Sequence, residues 1–408
     1  MEHIERKRIV VRYNEIFLKG NNRAFFEKAL CHNVKMCLKR QNVSYEKVNR
    51  YHGKIIVFTK EDSTDSCRCL SKVFGVSSFS PAIEFNSREE GIMEKLKENA
   101  YALLLEKGID SAKTFRIVTK RSDKKFPLES TKVNEEVGGF IQEKTGSAVK
   151  MQSPDLYVGI EIIMEGLIHM FTEKIDGPNG LPTSTEGKVI SLMSGGIDSA
   201  ASAWLMMKRG CRVVMLFLDQ SPYSDETNIN RVKKIAESLS EFYYGDRLKL
   251  YIVKSGENLT EFRKRNDRYT CVFCKRSMLR FASKIADIEH ADAICDGSSL
   301  AQVASQTISN MAVENEATKY PVLRPLVGFD KNEIIDLAKK IGTYDISISK
   351  VLSCTALPPH PATKSTLEKL KEVEQTFNFD ALIEKAVSHR ELFLYPEKED
   401  EPGKNEQE

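Results

Sequence analysis

The chain has 408 residues, of which 41% are hydrophobic and 29% charged, with a formal net charge of only +3. That is the composition of a globular protein with room for two or three domains. No apolar run approaches the roughly 18 residues of a membrane-spanning helix, and MEHIERKRIVV lacks the apolar stretch of a secretory leader. A cytoplasmic protein with no membrane partner is expected. Charge is unevenly spread: residues 1–60 hold 14 Lys and Arg against 5 Glu and no Asp. A basic start points to a polyanionic partner, whereas the end is acidic and reads as a disordered tail over 396–408.

RIVVRYNEI predicts a strand, and NNRAFFEKALCHNVKMCLKR an amphipathic helix with Phe26, Leu30, Val34 and Leu38 on one face. KIIVFTK adds a second strand, so residues 1–75 form a small α+β unit. Over 76–175 follow a helix in EEGIMEKLKENAYALLLEKG, a strand in TFRIVTKR, a helix in VNEEVGGFIQEKTG and a hairpin in LYVGIEIIMEGLIHMFTEK. DGPNGLPTSTEGK reads as a linker. In the remaining stretch VISLM, VVMLFLD, LYIVK and AICDG alternate with helices, which argues for a doubly wound parallel sheet with ligands at the carboxyl ends of its strands.

After VISLM the chain bends through Ser194, Gly195, Gly196, Ile197, Asp198 and Ser199 into a helix. Two glycines let the backbone approach a ligand, and the first turn of a helix carries roughly half a positive charge, which suits a pyrophosphate. A plain connecting turn is the alternative. Asp198 weighs against it, because a carboxylate beside an anion cradle is unfavourable unless a cation or a reacting group offsets it. KRSDKKF places Lys120, Arg121, Lys124 and Lys125 around one turn, where they can contact phosphates or simply be solvated. Aromatic residues are sparse there, so recognition of a folded RNA by shape and backbone fits better than base readout. The nine cysteines, with no secretory route, read as thiols or metal ligands rather than disulfides. Cys271 and Cys274 form a CxxC opening a helix, which suits zinc, an iron-sulfur cluster, a redox dithiol or two buried thiols. Cys31, Cys37, Cys67, Cys69, Cys211 and Cys295 have no such pattern and are expected to be structural.

Ser194 to Ser199 is similar to the SGGxDS loop of the PP-loop ATP pyrophosphatases. Together with RYNEIFLKGNNRAFFEKAL, FRIVTKRSDKKFPLES, SLAQVASQT and RPLVGFDKNEIIDLAKKIGT, it makes the chain resemble the tRNA 4-thiouridine synthetase (ThiI) family from about residue 8 to residue 385. The resemblance implies a multidomain α+β and α/β fold: a ferredoxin-like domain over 1–75, a THUMP RNA-binding domain over 76–175 and a PP-loop domain over 176–395. It also implies ATP and Mg2+, tRNA as substrate, 4-thiouridine at position 8 as product, and a homodimer. Asp198, Lys331 and Cys354 match the family's catalytic positions. The candidate nucleotide-binding set is the six loop residues with Leu216, Phe217, Gly297, Gln302 and Gln306, and Arg324 is a candidate contact for RNA or phosphate. Family members with a CxxC imply a [4Fe-4S] or [3Fe-4S] cluster on Cys271, Cys274 and Cys354, with one iron open to a sulfide. Longer members carry a rhodanese domain; this chain is expected to lack one and to take sulfur from inorganic sulfide or a donor protein. His360 keeps a tetrahedral zinc site with the same cysteines open. Two positions depart from the family pattern, Ser298 for an acidic residue and Ala301 for glycine. The rival readings are thiolation of another tRNA uridine and a non-catalytic THUMP-type RNA-binding protein; intact Asp198, Lys331 and Cys354 argue against the second.

Overall fold

The computed structural model describes residues 3–51, 53–265, 268–303, 306–351, 354–360 and 362–396, so residues 397–408 of the expected tail lie outside the described residues. The chain divides into two units, Met1–Pro182 and Thr183–Glu408.

The first unit is built on strands β1 (Arg8–Arg12), β2 (Tyr45–Tyr51), β3 (Lys54–Thr59), β4 (Ser78–Asn86), β5 (Thr114–Arg121), β6 (Ala148–Val149), β7 (Leu156–Ile163), β8 (Leu167–Phe171) and β9 (Ile175–Asp176). They form one sheet in the order β2-β3-β1-β4-β8-β7-β5-β6, with β9 on β4. β4 takes part in two ladders in succession: Ser78 to Ala82 pair with β1, and Ile83 to Asn86 pair with β8. Three helices accompany the sheet: α1 (Arg23–Arg40), α2 (Ile92–Glu106) and α3 (Ser130–Thr145). In α1 the four apolar residues predicted to share a face are all buried. Leu96, Leu103, Val133, Val137 and Ile141 of α2 and α3 join Phe115, Ile117, Val158 and Ile160 of the sheet in one core. The strand read into RIVVRYNEI stops at Arg12, and a 3-10 segment over Glu15–Asn22 follows. Within the sheet, Glu161 of β7 is 4% exposed and is held by Arg12 Nε at 2.7 Å and by Lys54. Burial alone would raise its pKa, but the two cations outweigh that and hold Glu161 down to about 2.

The second unit has strands β10 (Lys188–Met193), β11 (Arg212–Asp219), β12 (Leu248–Lys254), β13 (Ala293–Cys295), β14 (Val322–Leu323) and β15 (Glu391–Tyr395), ordered β14-β13-β10-β11-β12-β15. All neighbours run parallel except β15, which is antiparallel to β12. Its helices are α4 (Ile197–Lys208), α5 (Glu226–Ser240), α6 (Gly256–Arg263), α7 (Thr270–Glu289), α8 (Ile308–Asn315), α9 (Lys331–Lys340), α10 (Tyr344–Ser347), α11 (Leu367–Glu374) and α12 (Phe379–Ser388). In β11 every residue after Arg212 is buried, as expected of a strand covered on both faces. Phe262 of α6 stacks on Phe273 of α7 at a centroid separation of 3.9 Å, and both join Ile190, Leu216 and Ile294 of the strands in one core. From β10 the chain proceeds outward through β11 to β12, then returns to lay β13 and β14 on the other side of β10. The order therefore reverses between β10 and β13, and the crevice at their carboxyl ends is where an open α/β sheet binds ligands. No helix among the described residues is long and apolar enough to cross a membrane.

Candidate active site

The loop leaving β10 lies at that crevice. Gly195 has φ +76, and a Cβ there would stand 2.9 Å from Arg231 Nε, so both the backbone conformation and the space call for glycine. Gly196 caps α4. The Ser199 hydroxyl accepts from the Ser194 N–H at 3.2 Å and donates to the Gly196 carbonyl at 3.0 Å, closing the loop on itself. Gly297, just past β13, approaches from the other side of the crevice. A Cβ on it would lie 3.0 Å from Asp198 C and O and from Ser199 Cα.

Lys331 reaches the same place from α9. Asp330 begins that helix with a capping box: its carboxylate accepts from the N–H groups of Asn332 at 2.8 Å and Glu333 at 3.0 Å, and Glu333 answers by accepting from the Asp330 N–H at 2.9 Å. Ala201, Leu326 and Ile334 pack α9 against α4 with Ile197, Leu205, Phe329 and Leu337 around them. That packing brings Lys331 Nζ to 2.8 Å from Asp198 Oδ1. Ile197 thus serves the packing of the loop.

Ser194, Asp198 and Ser199 form one wall of a cavity of about 330 Å³. Its floor is apolar, from Leu192, Leu216, Leu218 and Met278; Cys271, Cys274 and Cys354 line it as well, with Lys275, Asp296, Gly297, Gln306 and Glu314 as polar members. Phe217 is buried and its side chain is not part of the lining, whereas Leu216 and Leu218 are, because successive residues of β11 face opposite sides of the sheet. Gln302 is half-buried outside the lining, with its Nε2 buried and without a partner. Ala301 holds φ +62, the conformation that favours the glycine the family pattern has there.

Gln220, at the carboxyl end of β11, ties two of the cysteines together. Its Nε2 donates to Cys274 Sγ at 2.8 Å, and Cys354 Sγ lies 3.6 Å from its Oε1. Burial, then the neighbouring Cys354 and Cys271, push the Cys274 thiol up to about 12. Three sulfur donors on one cavity fit a thiophilic cation, which would stabilise thiolates that otherwise repel one another. No group of three or more His, Cys, Asp or Glu side chains is already gathered as a metal site among the described residues. His360 is exposed and outside the lining, which places it apart from the zinc arrangement that its spacing left open. Cys31, Cys37, Cys67, Cys211 and Cys295 are buried as expected, and Cys69 is half-buried.

Arg324 is corrected. Its side chain is 9% exposed and turned into the unit, with Nε on Asp296 Oδ2 at 3.2 Å, so it does not stand open to RNA. Ser298 relays between charges: its hydroxyl donates to Asp296 at 2.8 Å and accepts from Lys275 Nζ at 2.8 Å. Glu314 is 1% exposed, and burial pushes its carboxyl up to about 7.

The ThiI thiamine biosynthesis protein family matches residues 184–379, the ThiI ferredoxin-like domain residues 8–80 and the THUMP domain residues 91–168. A probable tRNA sulfurtransferase of Methanocaldococcus jannaschii is 40% identical over 384 residues, covering 91% of this chain and 97% of that one. The chain belongs to the tRNA sulfurtransferase family. A second member of the tRNA sulfurtransferase family, from Thermococcus kodakarensis, is 37% identical over 375 residues, covering 90% and 95% of the two chains. A crystal structure of a 4-thiouridine synthetase–RNA complex with bound ATP superposes with a TM-score of 0.85 at 34% identity, covering 96% of this chain and all of that one. The ferredoxin-like, THUMP and PP-loop parts expected from the tRNA sulfurtransferase resemblance are therefore present.

In the first unit Lys120, Lys124 and Lys125 are exposed, whereas Arg121 donates to the Phe126 carbonyl at 3.0 Å and shapes its own loop. Sequence reasoning passed over Gln220, Arg231, Lys275, Asp296 and Glu314. Gln220 and Asp296 follow the ends of parallel strands, a positional signal that was there to read; Glu314 had none.

Proposed function

We propose that this chain thiolates tRNA with ATP, adenylating O4 of uridine 8 and then replacing AMP by sulfur to give 4-thiouridine. An oxo group is a poor leaving group, whereas AMP leaves readily. The Ser194–Ser199 loop would hold the phosphates at the head of α4, where the helix dipole favours them. Lys331 would stabilise the charge that develops on the α-phosphate, and Asp198 would orient Lys331 and, with phosphate oxygens, hold Mg2+. Gln306 would offer its amide to the flipped base. Cys354 is the exposed thiol of the cavity and would stand nearest to incoming sulfur. Cys271, Cys274 and Cys354 would hold a [4Fe-4S] or [3Fe-4S] cluster, which when bound supplies an iron site for sulfide.

The carrying observation is the 2.8 Å contact of Lys331 with Asp198 at the head of α4, in a crevice that also presents Cys354. Lys120, Lys124 and Lys125 would contact tRNA phosphates, in a division of 1–75 ferredoxin-like, 76–175 THUMP and 176–395 PP-loop. The sulfur comes from inorganic sulfide or a donor protein, in the cytoplasm, and the enzyme works as a homodimer. The test incubates anaerobic protein with a tRNA transcript, ATP, Mg2+ and sulfide. The reading requires 4-thiouridine at position 8 with AMP and pyrophosphate released together. Release of ADP, or thiolation confined to the anticodon loop, would overturn it.

A further inference from the structure

Glu314, on α8, lines the cavity that also contains Asp198 and Cys354. It is 1% exposed, and among the described residues neither carboxylate oxygen has a hydrogen-bond partner. A buried carboxyl left unsatisfied is destabilising unless a ligand completes it. Its placement is firm: Thr307 caps α8 by accepting from the Asn310 N–H at 3.2 Å, and the Asn310 amide binds Ser365 Oγ at 2.7 Å and the Ala362 carbonyl at 3.1 Å. The charged groups facing Glu314 are Lys275 and Arg276 of α7, Asp296 beyond β13 and Arg324 beyond β14. Lys275 is engaged by Ser298 and Arg276 by Glu374, whereas Arg324 holds Asp296 through Nε and leaves Nη2 facing Glu314. Arg324 Nη2 forms a long ion pair with Glu314 Oε2 at 3.7 Å, beyond hydrogen-bond reach, which leaves the carboxylate free to accept a proton.

We propose that Glu314 is the general base that removes the N3 proton of the target uridine while O4 is adenylated. The proposal rests on the adenylation reading above. As O4 bonds to the α-phosphorus, the bond from that phosphorus to the bridging oxygen breaks and pyrophosphate leaves with the electron pair. The C4–O4 π pair moves onto O4, the N3–H pair becomes the N3=C4 double bond, and the proton passes to Glu314; without that transfer the O-adenylate would be a cation. When hydrosulfide adds to C4, the π pair returns to N3, which recovers its proton from Glu314. Expulsion of AMP with loss of the S–H proton to solvent then leaves the thiocarbonyl. Burial sets the carboxyl near neutrality, where a base is most effective.

The experiment measures single-turnover AMP release and tRNA thiolation against pH for the full chain and for Glu314→Gln, alongside ATP affinity. Wild-type rate should rise through an apparent pKa of about 7 and level off. Glu314→Gln should be slower by roughly 100- to 10,000-fold and lose that limb, while binding ATP within about threefold of wild type. A variant within about tenfold of wild type, or one that keeps the acidic limb, overturns the role of Glu314. If the variant does not fold, the wild-type profile decides: a flat profile across about pH 6 to 8 overturns the role equally. A wild type that makes 4-thiouridine without releasing AMP overturns the adenylation reading and this proposal with it. Normal AMP release with no effect of the variant overturns this proposal alone.

Discussion

Replacing Lys331 by Met removes the charge and keeps most of the bulk, which separates its pairing with Asp198 from its proposed part in the reaction. Its partner Asp198 is 2.8 Å away, but the two side chains are 48% and 28% exposed. Water and salt screen such a pair, which contributes about 0.2–1 kcal/mol. In a unit of this size about 1 kcal/mol moves the melting temperature by about 2–4 °C, so Lys331→Met should lower it by at most ~4 °C. In the proposed role beside the α-phosphate the same cation would act on charge that grows only in the transition state, where loss of one donor typically slows the reaction ~100- to 1000-fold, or ~2.7–4 kcal/mol. Calorimetric melts and AMP release measured on one preparation give both numbers. Lys331→Arg should recover part of the rate, since it restores charge with different geometry. AMP release within about threefold of wild type, or a rate loss fully matched by a large fall in melting temperature, would refute the reasoning.

At Gly297 the nearest atoms a Cβ would meet are backbone atoms of Asp198 and Ser199, which cannot swing aside as a side chain can. Gly297→Ala should therefore displace the head of α4, destabilise by about 1–3 kcal/mol and weaken ATP binding by about tenfold or more; unchanged affinity in titration calorimetry would contradict this. Glu161, at about 2 when folded, lies below its unfolded value of roughly 4.3. Its contribution of about 3 kcal/mol is present above the unfolded value and is lost as pH falls from roughly 4.3 towards 2. Glu161→Gln should lower the melting temperature of the first unit by about 6–12 °C at pH 7. That gap should shrink across the acidic window, and a constant gap would mean the ion pairs do not carry the effect. Anaerobically purified protein should contain iron with acid-labile sulfide, and Cys274→Ala should lose both; zinc in their place would exclude the cluster.

Regular periodicity made much of the fold readable. The face of α1, the hairpin of β7 and β8, and the apolar runs of β10 and β11 were all evident because local pattern and burial coincide. β2 was not, since YEKVNRY is an edge strand with three charged residues in seven and only Val48 buried. β4 hides behind Pro81, a residue usually kept out of strand interiors. β15 returns antiparallel after a run of helices, with no βαβ rhythm to announce it. At the site, the Ser194–Ser199 loop was legible as a motif and Lys331 and Cys354 through the family resemblance; Ser194, Asp198, Ser199 and Cys354 line one cavity, and Lys331 pairs with Asp198. Phe217 lies outside the cavity lining because a strand shows only alternate residues to one side, and sequence does not reveal that Asp296 draws Arg324 inward. Glu314 matters only through what it faces, and its neighbours come from segments far away along the chain.

β4 passes from the ladder with β1 to the ladder with β8 without leaving the extended state. One extended strand thus carries a single sheet through both halves of the first unit. On the proposed reading, basic α1 and the lysine-bearing turn at residues 120–125 would contact phosphates from one shared sheet, so the unit would gauge length. A nucleic acid whose phosphates do not match that span would be refused by geometry before any base is inspected.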